Sequence, residues 1–170
     1  MYDTLFSFLK KYFKSATLFK VMFNVSPMYR RSCGKLYFVS DDLHLVKVKI
    51  PLTYRNKNYV GSMFGGSLFS ATDPIYMIQL MQILGNEYVV WDKATNIRFK
   101  KPAYNHAYVD FEFSTDEIET IKKLVHDKNE TDFVKNLLIT DGNGTVFSEL
   151  EKTLYISSKE HYKKKRALRK

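Results

Sequence analysis

From Ile75 to Gly85 the chain reads IYMIQLMQILG, and only Gln79 and Gln82 break the apolar run. A helix that is apolar on nearly every side has no face to give to water, so the rest of the chain has to surround it. Eleven residues are too few to cross a bilayer, which takes about 18 or more. The run therefore predicts a core helix buried nearly all round.

The segments on either side alternate as strands do. LYFVS (36–40) and LHLVKVKIP (43–51) are separated by Asp41 and Asp42, and Val46, Val48 and Ile50 alternate with Lys47 and Lys49, the pattern of a hairpin with one wet face. After Gly85, Val89, Trp91, Ile97 and Phe99 share one alternating set, and in AYVDFEF the residues Val109, Phe111 and Phe113 alternate with Tyr108, Asp110 and Glu112. Ser114 with Glu117 three residues on is a capping box, opening a short surface helix whose inner face is Ile118, Ile121, Leu124 and Val125. TDFVKNLLIT and TVFSELEKTLYIS flank Asp141-Gly142-Asn143-Gly144, a strong hairpin turn. There is no internal repeat. The order predicts an α+β fold, an antiparallel sheet of about six strands wrapped around the central apolar helix.

Additions stand at both ends. Leu5, Leu9, Tyr12, Phe13, Ala16, Phe19 and Phe23 recur at helical spacing while Lys10, Lys11, Lys14 and Lys20 take the other side, so residues 1–26 predict an amphipathic helix packed on the domain. The domain itself spans 27–158, and 159–170 form a basic tail. Of the net charge of +9, the tail carries +6 (seven Lys or Arg against one Glu), leaving +3 on the other 158 residues. Such a tip is expected to be solvated and frayed, and a body so nearly balanced gives no reason to expect nucleic acid. Membrane contact through the N-terminal helix or the tail is the minority reading. With 170 residues, 45% of them hydrophobic, one domain with a sizeable core is expected, and a single cysteine fits a reducing, cytoplasmic setting.

The chemistry concentrates in NYVGSMFGGSLFSATDP, residues 58–74. Asn58, Gly61, Gly65 and Gly66 with Asp73 seven residues after Gly66 resemble the signature of PaaI-like hotdog-fold acyl-CoA thioesterases, Asn-x-x-Gly-x-x-His-Gly-Gly followed by an acid. NIRFKKPAY (96–104) resembles the strand and Pro-Ala that follow the central helix in that family, and the strand order is the hotdog order; the resemblance covers roughly residues 34–157 and looks closest to a largely uncharacterised branch. It implies a thioester hydrolase with no cofactor beyond the coenzyme A of its substrate and no metal. Asp73 would act as base or nucleophile, the Gly66 amide as oxyanion donor, and Asn58 would orient thioester or water. Gly65 would let the thioester carbonyl come close, the rings around Met63, Phe64, Phe69 and Tyr76 suggest an apolar acyl chain, and Arg98, Lys100 and Lys101 would meet the phosphates, with solvent-facing side chains at a strand end as the plain alternative.

Free amides at a helix start can receive a developing oxyanion, and paired glycines let a carbonyl come close. Seven helical residues separate Gly66 from Asp73 by roughly 10 Å, so one copy cannot apply both to one carbonyl. A dimer, or a dimer of dimers, sharing its sites is expected. Two departures stand out: Phe64 replaces the family histidine and cannot donate a hydrogen bond, and Pro74 would kink a continuous helix next to Asp73. Asp73 as the N-cap of a helix that begins at Pro74 is the plain alternative; with it goes a catalytically silent module that binds acyl-CoA or another fatty acyl ligand. His44, His106, His126 and His161 lack metal-ligand spacing, and Cys33 next to Gly34 is expected to be a structural thiol.

Overall fold

The computed structural model describes residues 13–168. Its first helix, α1 (Ser15–Val25), buries Ala16, Leu18, Phe19 and Phe23. Asn24 ties it to the sheet, its side chain donating to the Leu36 carbonyl and accepting from the Leu36 amide, both at 2.9 Å. Phe13 was expected on the packed face; it precedes the first turn and is exposed, while Leu5, Leu9 and Tyr12 lie outside the described residues. A one-turn helix α2 (Pro27–Arg31) follows, with Pro27 in its first turn where no amide hydrogen is needed.

The strands β1 (Lys35–Val39) and β2 (Leu45–Ile50) form the expected hairpin, and Val46, Val48 and Ile50 are fully buried. The helical core comes next as two pieces, α3 (Gly65–Thr72) and α4 (Ile75–Leu84), broken at Asp73 and Pro74. Then come β3 (Tyr88–Phe99), β4 (Ala107–Glu112), α5 (Thr115–Lys128), β5 (Glu130–Thr140), β6 (Val146–Ser158) and α6 (Lys159–Ala167). The strands make one antiparallel six-stranded sheet in the order β1-β2-β4-β5-β6-β3, wrapped on the α3–α4 unit. This is the hotdog arrangement. Two places in it position the site: β3 sits at one edge, paired along its length with β6, and β4 meets β5 at a single register pair, Tyr108 with Thr140, before the two diverge.

Local signals behave as their chemistry requires. The Ser114 hydroxyl accepts from the Glu117 amide at 3.1 Å and the Glu117 carboxylate from the Ser114 amide at 2.9 Å, closing the capping box, and Ile118, Ile121 and Val125 are buried. In the β5–β6 turn the Asp141 carboxylate accepts from the amides of Asn143 (2.7 Å) and Thr145 (3.0 Å).

Three expectations change. α4 is not buried on all sides: Ile75, Tyr76, Gln79 and Leu80 face the sheet, whereas Met77, Ile78 and Met81 are half-buried along an apolar groove against α1 and β3. Gln79 is tolerated at full burial because its side-chain amide donates to the carbonyls of Leu43 (2.7 Å) and Phe111 (3.3 Å). In β3 the expected alternation is broken by a bulge between Asp92 and Ala94, so Val90 rather than Trp91 is buried while Ile97 beyond the bulge is half-buried; Phe99, in the row of Ile97 at the end of the strand, is exposed. The basic tail is helical through Ala167; Lys165 reaches Glu130 at 2.6 Å and Tyr162 lies against Tyr155.

Candidate functional site

The site is organised by α3, eight residues long, with glycines at one end and Asp73 at the other. The glycine end is built by the loop before it. Asn56, buried, braces that loop by accepting from Thr53 N at 2.8 Å and donating to Pro51 O at 3.0 Å, and its own carbonyl receives the Phe64 amide at 2.8 Å. The Met63 amide donates to Ala103 at 2.8 Å, which brings the Pro102-Ala103 segment beside the glycines. Leu68 and Ser67 donate back to the Phe64 carbonyl, leaving the amides of Gly65 and Gly66 without a hydrogen bond among the described residues, as the first amides of any helix are.

The space in front of those glycines is occupied by the protein's own rings. A β-carbon built on Gly66 would stand 2.2 Å from Phe64 Cε1, and one on Gly65 would stand 2.8 Å from Phe99 Cζ. Both rings are more than half exposed, so each covers its glycine from the solvent side.

At the other end Asp73 follows the last turn of α3, 52% exposed. The N-cap alternative does not describe it: the residue preceding α4 is Pro74, and no side chain caps that helix. Beneath Asp73 lies Lys152 of β6, wholly buried. Its Nζ donates to the Asp73 carbonyl at 2.5 Å and to the Thr72 carbonyl at 3.5 Å, and stands 3.7 Å from Asp73 Oδ1 and 3.3 Å from Asp92 Oδ1. Asp92 Oδ1 is buried and off the line of any hydrogen bond. Burial pushes the Asp92 carboxyl above the usual carboxylate range, the Lys152 ammonium pulls it back, and the Asp73 charge adds to the rise.

The remaining residues of the sequence reading divide. Asn58 is spent on its own loop: its side chain donates to Ser62 Oγ at 2.8 Å and accepts from the amides of Val60 and Ser62, closing a turn around Gly61, which has φ 82°. Its amide is therefore engaged rather than aimed at a ligand. Met63 and Tyr76 are buried and Phe69 is half-buried, so of the four side chains expected at an acyl chain only Phe64 stands exposed beside the glycines. Arg98 and Lys101 are exposed at the glycine end of β3 and make no ion pair among the described residues, while Lys100 pairs with Glu149 at 3.3 Å. The apolar groove, about 400 Å³, runs from Met77 and Ile78, just past Pro74, to Val90 and Trp91, just before Asp92. A wider opening of about 1150 Å³ lies where β4 and β5 diverge, and neither Asp73 nor the glycines line it. His106 accepts from the Leu52 amide, and His126 and His161 stand beside Asp127 and Glu130.

Lys152 is what the sequence reading missed. The signal was present: it sits in phase with Leu150, Leu154 and Ile156, a lysine in the inward row of a strand.

Residues 15–156 match the family described as "Domain of unknown function (DUF4442)". No curated protein matches the sequence. Among solved structures, the chain is similar to PA5026 from Pseudomonas aeruginosa, a protein of unknown function described as "Probable Thioesterase", at TM-score 0.74 and 19% identity over 84% of this chain and 95% of that one. It is also similar to thioesterase HI1161 from Haemophilus influenzae, at TM-score 0.60 and 11% identity over 82% and 88% of the two chains, and to the thioesterase enzyme SAV0944 from Staphylococcus aureus, at TM-score 0.52 and 12% identity over 73% and 93%. At these identities the likeness is one of fold.

Proposed function

The chain belongs to the DUF4442 family, and from that premise we propose that it is an acyl-CoA thioesterase acting on fatty or aromatic acyl groups, with each active site shared between two copies. One observation carries the reading: among the described residues the amides of Gly65 and Gly66 are unengaged at one end of α3, and an exposed carboxylate stands at the other. The scheme divides the work accordingly. Asp73 takes a proton from a water whose oxygen attacks the thioester carbon, or attacks that carbon itself to form an anhydride that water then opens. The carbonyl oxygen, gaining charge, is received by the Gly66 amide. Collapse expels the coenzyme A thiolate, which takes the proton that Asp73 removed from the water or, on the anhydride path, the proton released when water opens the anhydride.

Since roughly 10 Å of helix separates the two groups in one copy, the acid and the oxyanion donor of a working site come from different copies. Strand β3 supports such an assembly. It is a twelve-residue edge with Trp91 and Phe99 exposed, and an edge of that length is a template for another strand unless it is covered. Arg98 and Lys101 near the glycines suit the phosphates of coenzyme A, and the groove beginning at Met77 suits the acyl chain.

A second reading, a silent module that binds acyl-CoA without cleaving it, is favoured by the rings of Phe64 and Phe99 over the glycines. The deciding experiment measures hydrolysis of an acyl-CoA panel, short to long and aromatic, by the parent and by Asp73→Asn with the folding of both checked. Turnover that collapses in the variant supports the enzyme. Binding without turnover in either supports the silent module.

A further inference from the structure

Among the described residues Lys152 is the one buried charged side chain, and the hydrolytic scheme does not use it. A lysine wholly out of water needs a reason to be there, since Leu150 and Leu154 fill the same inward row of β6 with apolar groups. Part of the reason is the end of α3. The Thr72 and Asp73 carbonyls are among its last, they carry the negative end of the helix dipole, and the ammonium caps them. Capping does not account for the two carboxylates. Asp92 comes from β3 and Asp73 from the break between α3 and α4, and Nζ stands between them at 3.3 and 3.7 Å. The other charged neighbour is Lys135, opposite Lys152 on β5, whose ammonium turns away to Glu117 at 2.6 Å; Thr95 is the facing residue on β3.

We propose that Lys152 is a positioning residue for Asp73: it fixes the turn on which Asp73 stands through the Thr72 and Asp73 carbonyls, and ties that turn to the edge strand through Asp92. The inference rests on Asp73 being the acid of the site. It assigns Lys152 no contact with substrate. It makes the helix break functional, because Pro74 interrupts the helix just where the lysine takes hold of the turn.

The test uses the full chain, with Lys152→Met and Asp92→Asn. For Lys152→Met the expected result is a kcat about a hundredfold lower with KM within about twofold of the parent. In a ¹³C carboxyl titration the Asp92 midpoint should move further up when the ammonium is gone. A folded Lys152→Met that keeps its kcat, or loses rate only in proportion to its unfolded fraction, overturns the proposal. Should Lys152→Met not fold, Asp92→Asn decides, because it leaves the helix cap and cuts the tie to β3: a lowered kcat with unchanged KM and circular dichroism supports the assignment, and an unchanged kcat overturns it. If the parent cleaves no acyl-CoA, the thioesterase reading fails separately. The Asp92 titration still speaks in that case, and an Asp92 midpoint that ignores the loss of Lys152 overturns the tie.

Discussion

Phe99 lies so close over Gly65 that no side chain could occupy that position without displacing its ring. The glycine pair thus has two possible purposes, room for the rings or room for a ligand, and alanine separates them. Both rings are exposed and able to swing, and alanine is the better helix former, so Gly65→Ala and Gly66→Ala should change stability by less than about 1 kcal/mol. Hydrolysis by Gly66→Ala should fall about a hundredfold, because the amide remains but the added methyl group holds the thioester carbonyl away from it. Thermal unfolding beside steady-state rates reads both. Large losses of stability in both variants would mean that the glycines serve the rings.

Phe64 stands where the PaaI-like signature that residues 58–74 resemble has histidine. Phe64→His restores a donor at that position and should raise kcat about tenfold or more, a gain of about 1.4 kcal/mol in the barrier. Phe64→Ala, which uncovers Gly66 without adding a donor, should lower KM more than it raises kcat.

Shared sites can be tested by mixing. Asp73→Asn and Gly66→Ala should each retain about a hundredth of the parent rate or less when alone. Equimolar subunits, unfolded and refolded together, should recover about a quarter of the parent rate, because half of the dimers are mixed and each mixed dimer keeps one intact site of two. No recovery, with mixed dimers present by native mass spectrometry, would place acid and donor in the same copy.

The capping box of α5 sets an acid limit on stability. Burial pushes Glu117 up, but hydrogen bonds from Lys135 and from the Ser114 amide outweigh it and hold the carboxyl below the usual glutamate value of 4.5. A carboxyl depressed by folding contributes stability above its unfolded value, and that contribution is lost as pH falls through the folded one. The parent should therefore lose stability to urea below about pH 4.5, and Glu117→Gln should flatten that part of the curve. Ser114→Ala should cost about 1 kcal/mol at neutral pH.

Much of the fold was legible because it is local. Ser114 with Glu117, the Asp141 turn and the alternation of Val46, Val48 and Ile50 depend on residues a few positions apart, and each formed as read. What failed depends on distant partners. The bulge at Asp92 shifts the phase of β3 through its pairing with β6, and no count of alternating residues announces it. Part of the geometry of the candidate site was legible as well: the glycines open a helix, their amides unengaged among the described residues, and Asp73 stands exposed at its far end. That Asn58 would spend its side chain on its own loop, or that Phe99 would cover Gly65 from a strand more than thirty residues away, follows only from tertiary packing. Lys152 was within reach of a parity argument, had the apolar members of its strand been counted with the lysine among them.

The single register pair between β4 and β5 divides the protein's backbone hydrogen bonding into two sets, β1-β2-β4 and β5-β6-β3, with almost no ladder between them. Each set can open without breaking the other's amide bonds, so the two should exchange their hydrogens with deuterium at different rates and unfold as separate cooperative units. Slowest of all should be β6, which is paired on both sides along nearly its whole length. The strand that carries Lys152 would then be the last to let solvent in.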